Sequence, residues 1–112
     1  MSTRLPGAKY KRVFDGGRSV KGRLLVAWRY VSPDAGSLAG VVASKKAFHD
    51  AVDRNRAKRL MREAYRLLVK GGEAPANVEW VFVARRAMSG RKCGDVMEDM
   101  RCAMSRASRQ TR

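Results

Sequence analysis

Arg54, Lys58, Arg62 and Arg66 follow one another at four-residue spacing within AVDRNRAKRLMREAYRLL, residues 51–68. On a helix that separation makes side chains neighbours, and each like-charged pair costs roughly 0.2–0.5 kcal/mol. A polyanion lying along the row removes the cost. At about 100° per residue, Asn55 and Arg59 join these four on one arc of roughly 140°, while Ala57, Leu60, Met61, Ala64, Leu67 and Leu68 form an apolar stripe opposite. The chemistry that suits such a face is phosphate binding. Guanidinium forks match phosphate oxygens in bidentate pairs, and an amide such as that of Asn55 can reach a 2′-hydroxyl or a base edge. A helix face that is merely solvated usually alternates its charges, whereas Asp53 and Glu63 lie away from the centre of this strip.

Residues for protein-based hydrolysis are scarce. His49 is the single histidine, so a pair of histidine bases is impossible and a nucleophilic triad has one candidate. Cys93 and Cys102 lack the CxxC spacing of a zinc site, and on one helix they would lie on opposite sides, which rules out a bridge within it. Free thiols fit a reducing compartment. Asp95, Glu98 and Asp99 are spaced to share a divalent ion, but acidic residues in the first turn of a helix also complement its dipole, and that reading is preferred. No catalytic residue and no metal ligand is expected on this chain.

The elements that must carry the basic face fit one domain, residues 1–107, followed by a basic and mobile tail at 108–112. In 112 residues there are 25 Lys and Arg against 10 Asp and Glu, a net charge of +15. The charged share of 31% exceeds the usual ~25% by cations alone. Nucleic acid is the first partner this suggests, and an anionic membrane surface the second. At 45% hydrophobic residues the chain lies outside the compositional regime of disorder. No apolar run approaches the roughly 18 residues of a membrane span, and MSTRLPGAKYKRV lacks a signal-like apolar core. The expected location is the cytoplasm.

LPGAKYKRVFDGG reads as a short first helix, with Tyr10, Val13 and Phe14 on one side and Gly16-Gly17 as its stop. GRLLVAWRYV is a strand ended by the turn SPDAGS, and LAGVVASKK and NVEWVFVARR are two further strands, with a short additional one around RSVKG. The basic helix begins at Asp50 as N-cap and stops before KGGEAP. A final helix over residues 94–107 has Val96, Met97, Met100, Ala103 and Met104 as its stripe. The order implies a small α+β fold, a two-layer sandwich of about four strands and three helices. Trp80 and Phe82, in a nearly continuous apolar run, belong to the core. Spacing alone also assigns Tyr10 and Phe14 inward.

The string AVDRNRAKRLMREAYR preceded by GVVASKK resembles the signature of the protein subunit of bacterial ribonuclease P, an Arg-Asn-Arg helix running on into Lys-Arg and a further Arg. Here those residues are Arg54, Asn55, Arg56, Lys58, Arg59 and Arg62. YKRVFDGGRSV, LLVAWRYV and VFVARR resemble the family's first helix and turn, a strand and its last strand. AFHD stands where the family often has a glycine, which leaves the local loop shape open.

The resemblance implies a left-handed β-α-β crossover and a subunit that assists a catalytic RNA in removing the 5′ leader of precursor tRNA. It implies Mg²⁺ bound mainly by that RNA, and no obligate protein partner or membrane. Arg54, Asn55, Arg56, Lys58, Arg59, Arg62 and Arg66 would face the catalytic RNA. Tyr10, Phe14, Val26, Trp28, Ser44, Lys45, Lys46, Arg85 and Arg86 would line a cleft for the single-stranded leader, which reverses the inward assignment of Tyr10 and Phe14. A structural RNA-binding protein of the ribosomal type is the alternative.

Overall fold

Two apolar runs form the middle of the sheet: LVAWRYV is β2 (Leu25–Val31) and VEWVFVA is β4 (Val78–Ala84). The outer strands are β1 (Arg18–Lys21) and β3 (Ser37–Val42), in the order β1-β2-β4-β3. β1, β2 and β4 pair antiparallel, whereas β3 runs parallel to β4. Parallel neighbours require a crossover, and α2 (Ala51–Lys70) supplies it. α1 (Tyr10–Gly16) precedes β1, and α3 (Cys93–Gln110) closes the chain. The coordinates are a computed structural model that describes residues 3–33 and 36–110.

The expected α+β architecture, including the short strand in RSVKG, is thus what the chain adopts. α3 is longer at both ends than expected, so residues 108–110 of the anticipated tail are helical. Residues 111 and 112 of that tail, and residues 34 and 35 at the centre of the SPDAGS turn, lie outside the described residues.

Strand alternation assigns one set of side chains to each face. Leu25, Ala27, Ala39, Val41, Trp80 and Phe82 meet Met61, Ala64, Tyr65 and Leu68 of α2 and Val96, Met100, Ala103 and Met104 of α3. Trp80 and Phe82 stack with ring centroids 5.6 Å apart. Burying side chains of this size contributes about 1.5–3 kcal/mol each, and this face is the main core. The second face is thinner: Leu5, Val13 and Val81 are buried there, with Tyr10, Phe14, Trp28 and Tyr30 half-buried around them.

Local signals fix the ends of α2. The Asp50 carboxylate accepts the Val52 N–H at 2.9 Å, as an N-cap should. At the other end Gly71 donates to the Leu67 carbonyl, and Gly72 adopts φ +75°, a left-handed conformation that favours glycine. The outer edge of β3 is covered by the N-terminal segment, where Leu5 donates to Ala39 and Ala39 to Thr3. Among the described residues no helix is long and apolar enough to cross a membrane.

Candidate nucleic-acid interface

Strand register sets the thinner face in three rows across β2, β4 and β3: Tyr30-Glu79-Leu38, Trp28-Val81-Gly40 and Val26-Val83-Val42. α1 lies over the first two. Arg12 reaches Glu79, donating from Nε at 2.9 Å and also from Nη2, with its guanidinium carbon 5.3 Å from the centre of the Tyr30 ring. The Tyr10 ring covers Gly40 so closely that a Cβ there would stand 2.3 Å from it, and the Tyr10 hydroxyl accepts the Val41 N–H at 3.0 Å. Phe14 meets Trp28 edge to face, centroids 5.3 Å apart. Val26, Val83 and Val42 in the third row stay half-buried. The result is an apolar floor beside an aromatic wall.

The basic side of this groove comes from the ends of β3 and β4. Because Val42 pairs with Val83, the chain leaves both strands at the same end of the sheet, bringing Ser44, Lys45 and Lys46 beside Arg85 and Arg86. The Ser44 hydroxyl accepts the Ala47 N–H at 3.1 Å and its carbonyl accepts the Phe48 N–H, a turn that leaves Lys45 and Lys46 exposed. Arg86 is exposed as well. Arg85 departs from the group. Its Nη1 donates to the Gly22 carbonyl at 2.6 Å and it lines a cavity with Asp99, Cys102 and Arg106 of α3, on the sheet face opposite Phe14 and Trp28.

Three groove residues escaped the sequence reading. Val42 and Val83 look like any core valine, and only the register of parallel strands puts them beside Val26. Glu79 did leave a signal, an acid inside an apolar strand, which must find a partner if covered. Its side chain is fully buried, with Arg12 paired to it and Lys9 Nζ at 3.8 Å. The hydrogen bond to Glu79 raises the pKa of the Arg12 guanidinium above its ordinary value, against the opposing effect of desolvation.

On α2 the cationic face is rolled relative to the expected arc. Tyr65 projects between Arg54 and Lys58 at about 100° per residue, yet it is 1% exposed. An aromatic ring is large enough to pull that side of the helix onto the core. Arg54 and Lys58 therefore flank the core half-buried, while Asn55, Arg59, Arg62 and Arg66 are exposed. Arg54 Nη1 donates to the carbonyls of Phe48 and His49 at 3.0 and 3.1 Å, and Arg56 Nη2 to that of Arg91 at 3.0 Å. Arg66 pairs with Glu63, which raises the pKa of the arginine and lowers that of the glutamate. Asn55, Lys58, Arg59 and Arg62 have no side-chain hydrogen bond or ion pair among the described residues. His49 is exposed in the loop before α2.

The acidic trio is occupied with structure. Asp95 accepts the Lys92 N–H at 3.1 Å at the start of α3, Glu98 pairs with Arg101 at 2.8 Å, and Asp99 accepts the N–H groups of Arg23 and Leu24 at 3.0 and 2.9 Å. Among the described residues no three His, Cys, Asp or Glu side chains gather as a metal site. Both cysteines are free, and burial followed by the charge of Glu63 pushes the Cys93 thiol up.

A model of the Ribonuclease P family matches residues 5–108. The ribonuclease P protein component of Pelotomaculum thermopropionicum is 37% identical over 98 residues, covering 88% of this chain and 85% of that protein. That of Exiguobacterium sp. is 35% identical over 99 residues, covering 88% and 83%. Among solved structures, the RNase P protein from Thermotoga maritima superposes with a TM-score of 0.78 at 24% identity, covering 92% of this chain and 96% of that one. The Staphylococcus aureus RNase P protein gives 0.77 at 22%, covering 96% of each. At those identities the two structures speak to the fold.

Proposed function

This chain belongs to the ribonuclease P protein family, and we propose that it serves the RNA of that enzyme by two surfaces on opposite sides of one sheet. The family match does not favour the alternative of a ribosomal-type structural protein. On one side, Asn55, Arg59 and Arg62 with their flanking cations dock on the catalytic RNA. On the other, the groove between α1 and the third row of the sheet holds the single-stranded 5′ leader of precursor tRNA.

The observation that carries this reading is the groove's composition. Phe14 and Trp28 offer ring surface beside Val26, Val83 and Val42, and stacking of bases on aromatic platforms contributes about 1–3 kcal/mol per base with little regard to sequence. Lys45, Lys46 and Arg86 stand where the leader's phosphates would pass. Tyr10 contributes mainly by anchoring α1, because its hydroxyl is engaged by Val41 and its ring covers Gly40.

The chemical step would fall to the RNA, whose bound Mg²⁺ would supply the metal-ion chemistry, and no residue of this chain is assigned to hold that ion. This chain's part, in the cytoplasm, is to bind and orient: among the described residues every carboxylate except that of Asp53 is engaged in a cap, a turn or an ion pair. Purified protein mixed with a bacterial ribonuclease P RNA at low Mg²⁺ should accelerate cleavage of precursor tRNA at the mature 5′ end. Absence of stimulation with intact cognate RNA refutes the proposal.

A further inference from the structure

The turn between β1 and β2 collects cations from distant parts of the chain. Arg85, just after β4, donates from Nη1 to the Gly22 carbonyl at 2.6 Å, and Arg106, late in α3, donates from Nη1 to the Lys21 carbonyl at 3.2 Å. Two guanidiniums are thus held on consecutive carbonyls of one turn. Each retains four N–H donors of its five. Arg23 is exposed beside them, and these residues, with Lys21, Gly22, Asp99, Cys102 and Ala103, surround a cavity of about 350 Å³, although Lys21, paired with Val26, turns its side chain to the other face of the sheet.

Asp99 is the acid at this place. Its two oxygens accept the backbone N–H groups of Arg23 and Leu24, so it fixes the shape of the turn, while three guanidiniums surround a single carboxylate. A side chain at Gly22 would stand 2.6 Å from Asp99 Oδ2 and 2.9 Å from the Leu25 carbonyl, so the tight turn requires glycine. Arg85 and Arg106 form no ion pair among the described residues. The arrangement presents fixed guanidinium donors to an anion.

We propose that the β1–β2 turn, with Arg23, Arg85 and Arg106, is a second phosphate-binding site for the RNA that docks on α2. It lies on the helix-bearing side of the sheet, away from the groove. Arg91 connects the two surfaces: its carbonyl accepts Arg56 Nη2 of α2, and its side chain lines an adjoining cavity with Arg23 and Asp99. Asp95 and Glu98 also line that cavity, already engaged by Lys92 and Arg101. One RNA backbone running from α2 across Arg91 reaches the turn. The inference rests on the docking role assigned to α2.

The test compares Arg23→Glu with Arg106→Ala combined, and Arg23→Glu alone, against Arg59→Ala with Arg62→Ala. Arg23 makes no side-chain hydrogen bond or ion pair among the described residues, so its replacement leaves the fold intact. Affinity for intact bacterial ribonuclease P RNA is measured across a salt series, and affinity for a single-stranded leader oligonucleotide separately. The turn variants are expected to bind the large RNA about tenfold or more weakly, with a log-log salt slope shallower by roughly 1 per contact removed, and to bind the oligonucleotide unchanged. Wild-type affinity and slope in the turn variants, with loss only in the α2 variant, overturn this site and leave the α2 surface standing. If the α2 variant also binds like wild type, both proposals fall.

Discussion

Arg12 on α1 and Glu79 on β4 form a two-point ion pair in which the carboxylate is wholly buried and the guanidinium only partly so. It fastens a seven-residue helix, too short to be stable alone, onto a sheet that it covers only in part. The position of Phe14 over the groove depends on that fastening.

Replacing Arg12 with Ala leaves the Glu79 carboxylate with Lys9 at 3.8 Å as its remaining cation. Removing one partner of a buried pair is strongly destabilising. The thermal midpoint should fall on the order of 10 °C, measured by circular dichroism, and leader affinity should fall with it. A midpoint within about 2 °C of wild type would show that the pair does not hold α1.

Gly40→Ala places a methyl group 2.3 Å from the Tyr10 ring. The ring must move and release the Val41 N–H, a form of overpacking that typically costs about 1–3 kcal/mol. Shortening Tyr10 to Leu in the same chain should recover part of the loss. Urea unfolding of both single variants and the pair measures that coupling, and strict additivity counts against the contact.

Phe14→Ala should weaken binding of leader-bearing precursor tRNA by about 1–3 kcal/mol, the contribution of one stacked base. Binding of mature tRNA and of the catalytic RNA should not change. Arg59→Ala with Arg62→Ala should do the reverse. Equal losses in every assay for both variants would argue against two separate surfaces.

Arg54 and Arg62 should behave differently although the sequence places them on one strip. Arg54→Ala frees the Phe48 and His49 carbonyls and should lower stability by about 1 kcal/mol besides weakening RNA binding. Arg62→Ala should weaken binding alone. Chemical denaturation beside a binding titration separates the two effects.

Burial raises the pKa of the Tyr65 phenol, so the folded state holds that proton more tightly than the unfolded chain does. The corresponding stability is complete below the ordinary tyrosine value of about 10 and declines as pH rises above it. Urea midpoints for wild type and Tyr65→Phe should therefore diverge in pH dependence between about pH 9 and 11, with the variant the flatter of the two. Identical slopes would mean that the phenol is accessible.

Periodicity makes the helices, the strand runs and the apolar side of α2 legible in the sequence, because they depend on neighbours along the chain. The roll of α2 was not legible. Tyr65 is compatible with either face, and its burial follows from the room beside Phe82, 5.7 Å away between ring centroids. The third row of the sheet and the direction of Arg85 were hidden for another reason: both are set by which strands and turns become neighbours, and no local pattern encodes that. Spacing alone assigns Tyr10 inward and the family resemblance makes it a stacking surface; the absent side chain at Gly40 draws it inward as a clamp.

Val42 and Val83 belong to strands joined only through the whole of α2. During synthesis the floor beneath Phe14 therefore cannot exist until the crossover has closed and β4 has slotted between its neighbours. A chain released before that strand would expose an amphipathic cationic rod with nowhere to place a single strand. Under the proposed division of surfaces, competence for a single strand would arrive only after the α2 segment has already emerged from the ribosome.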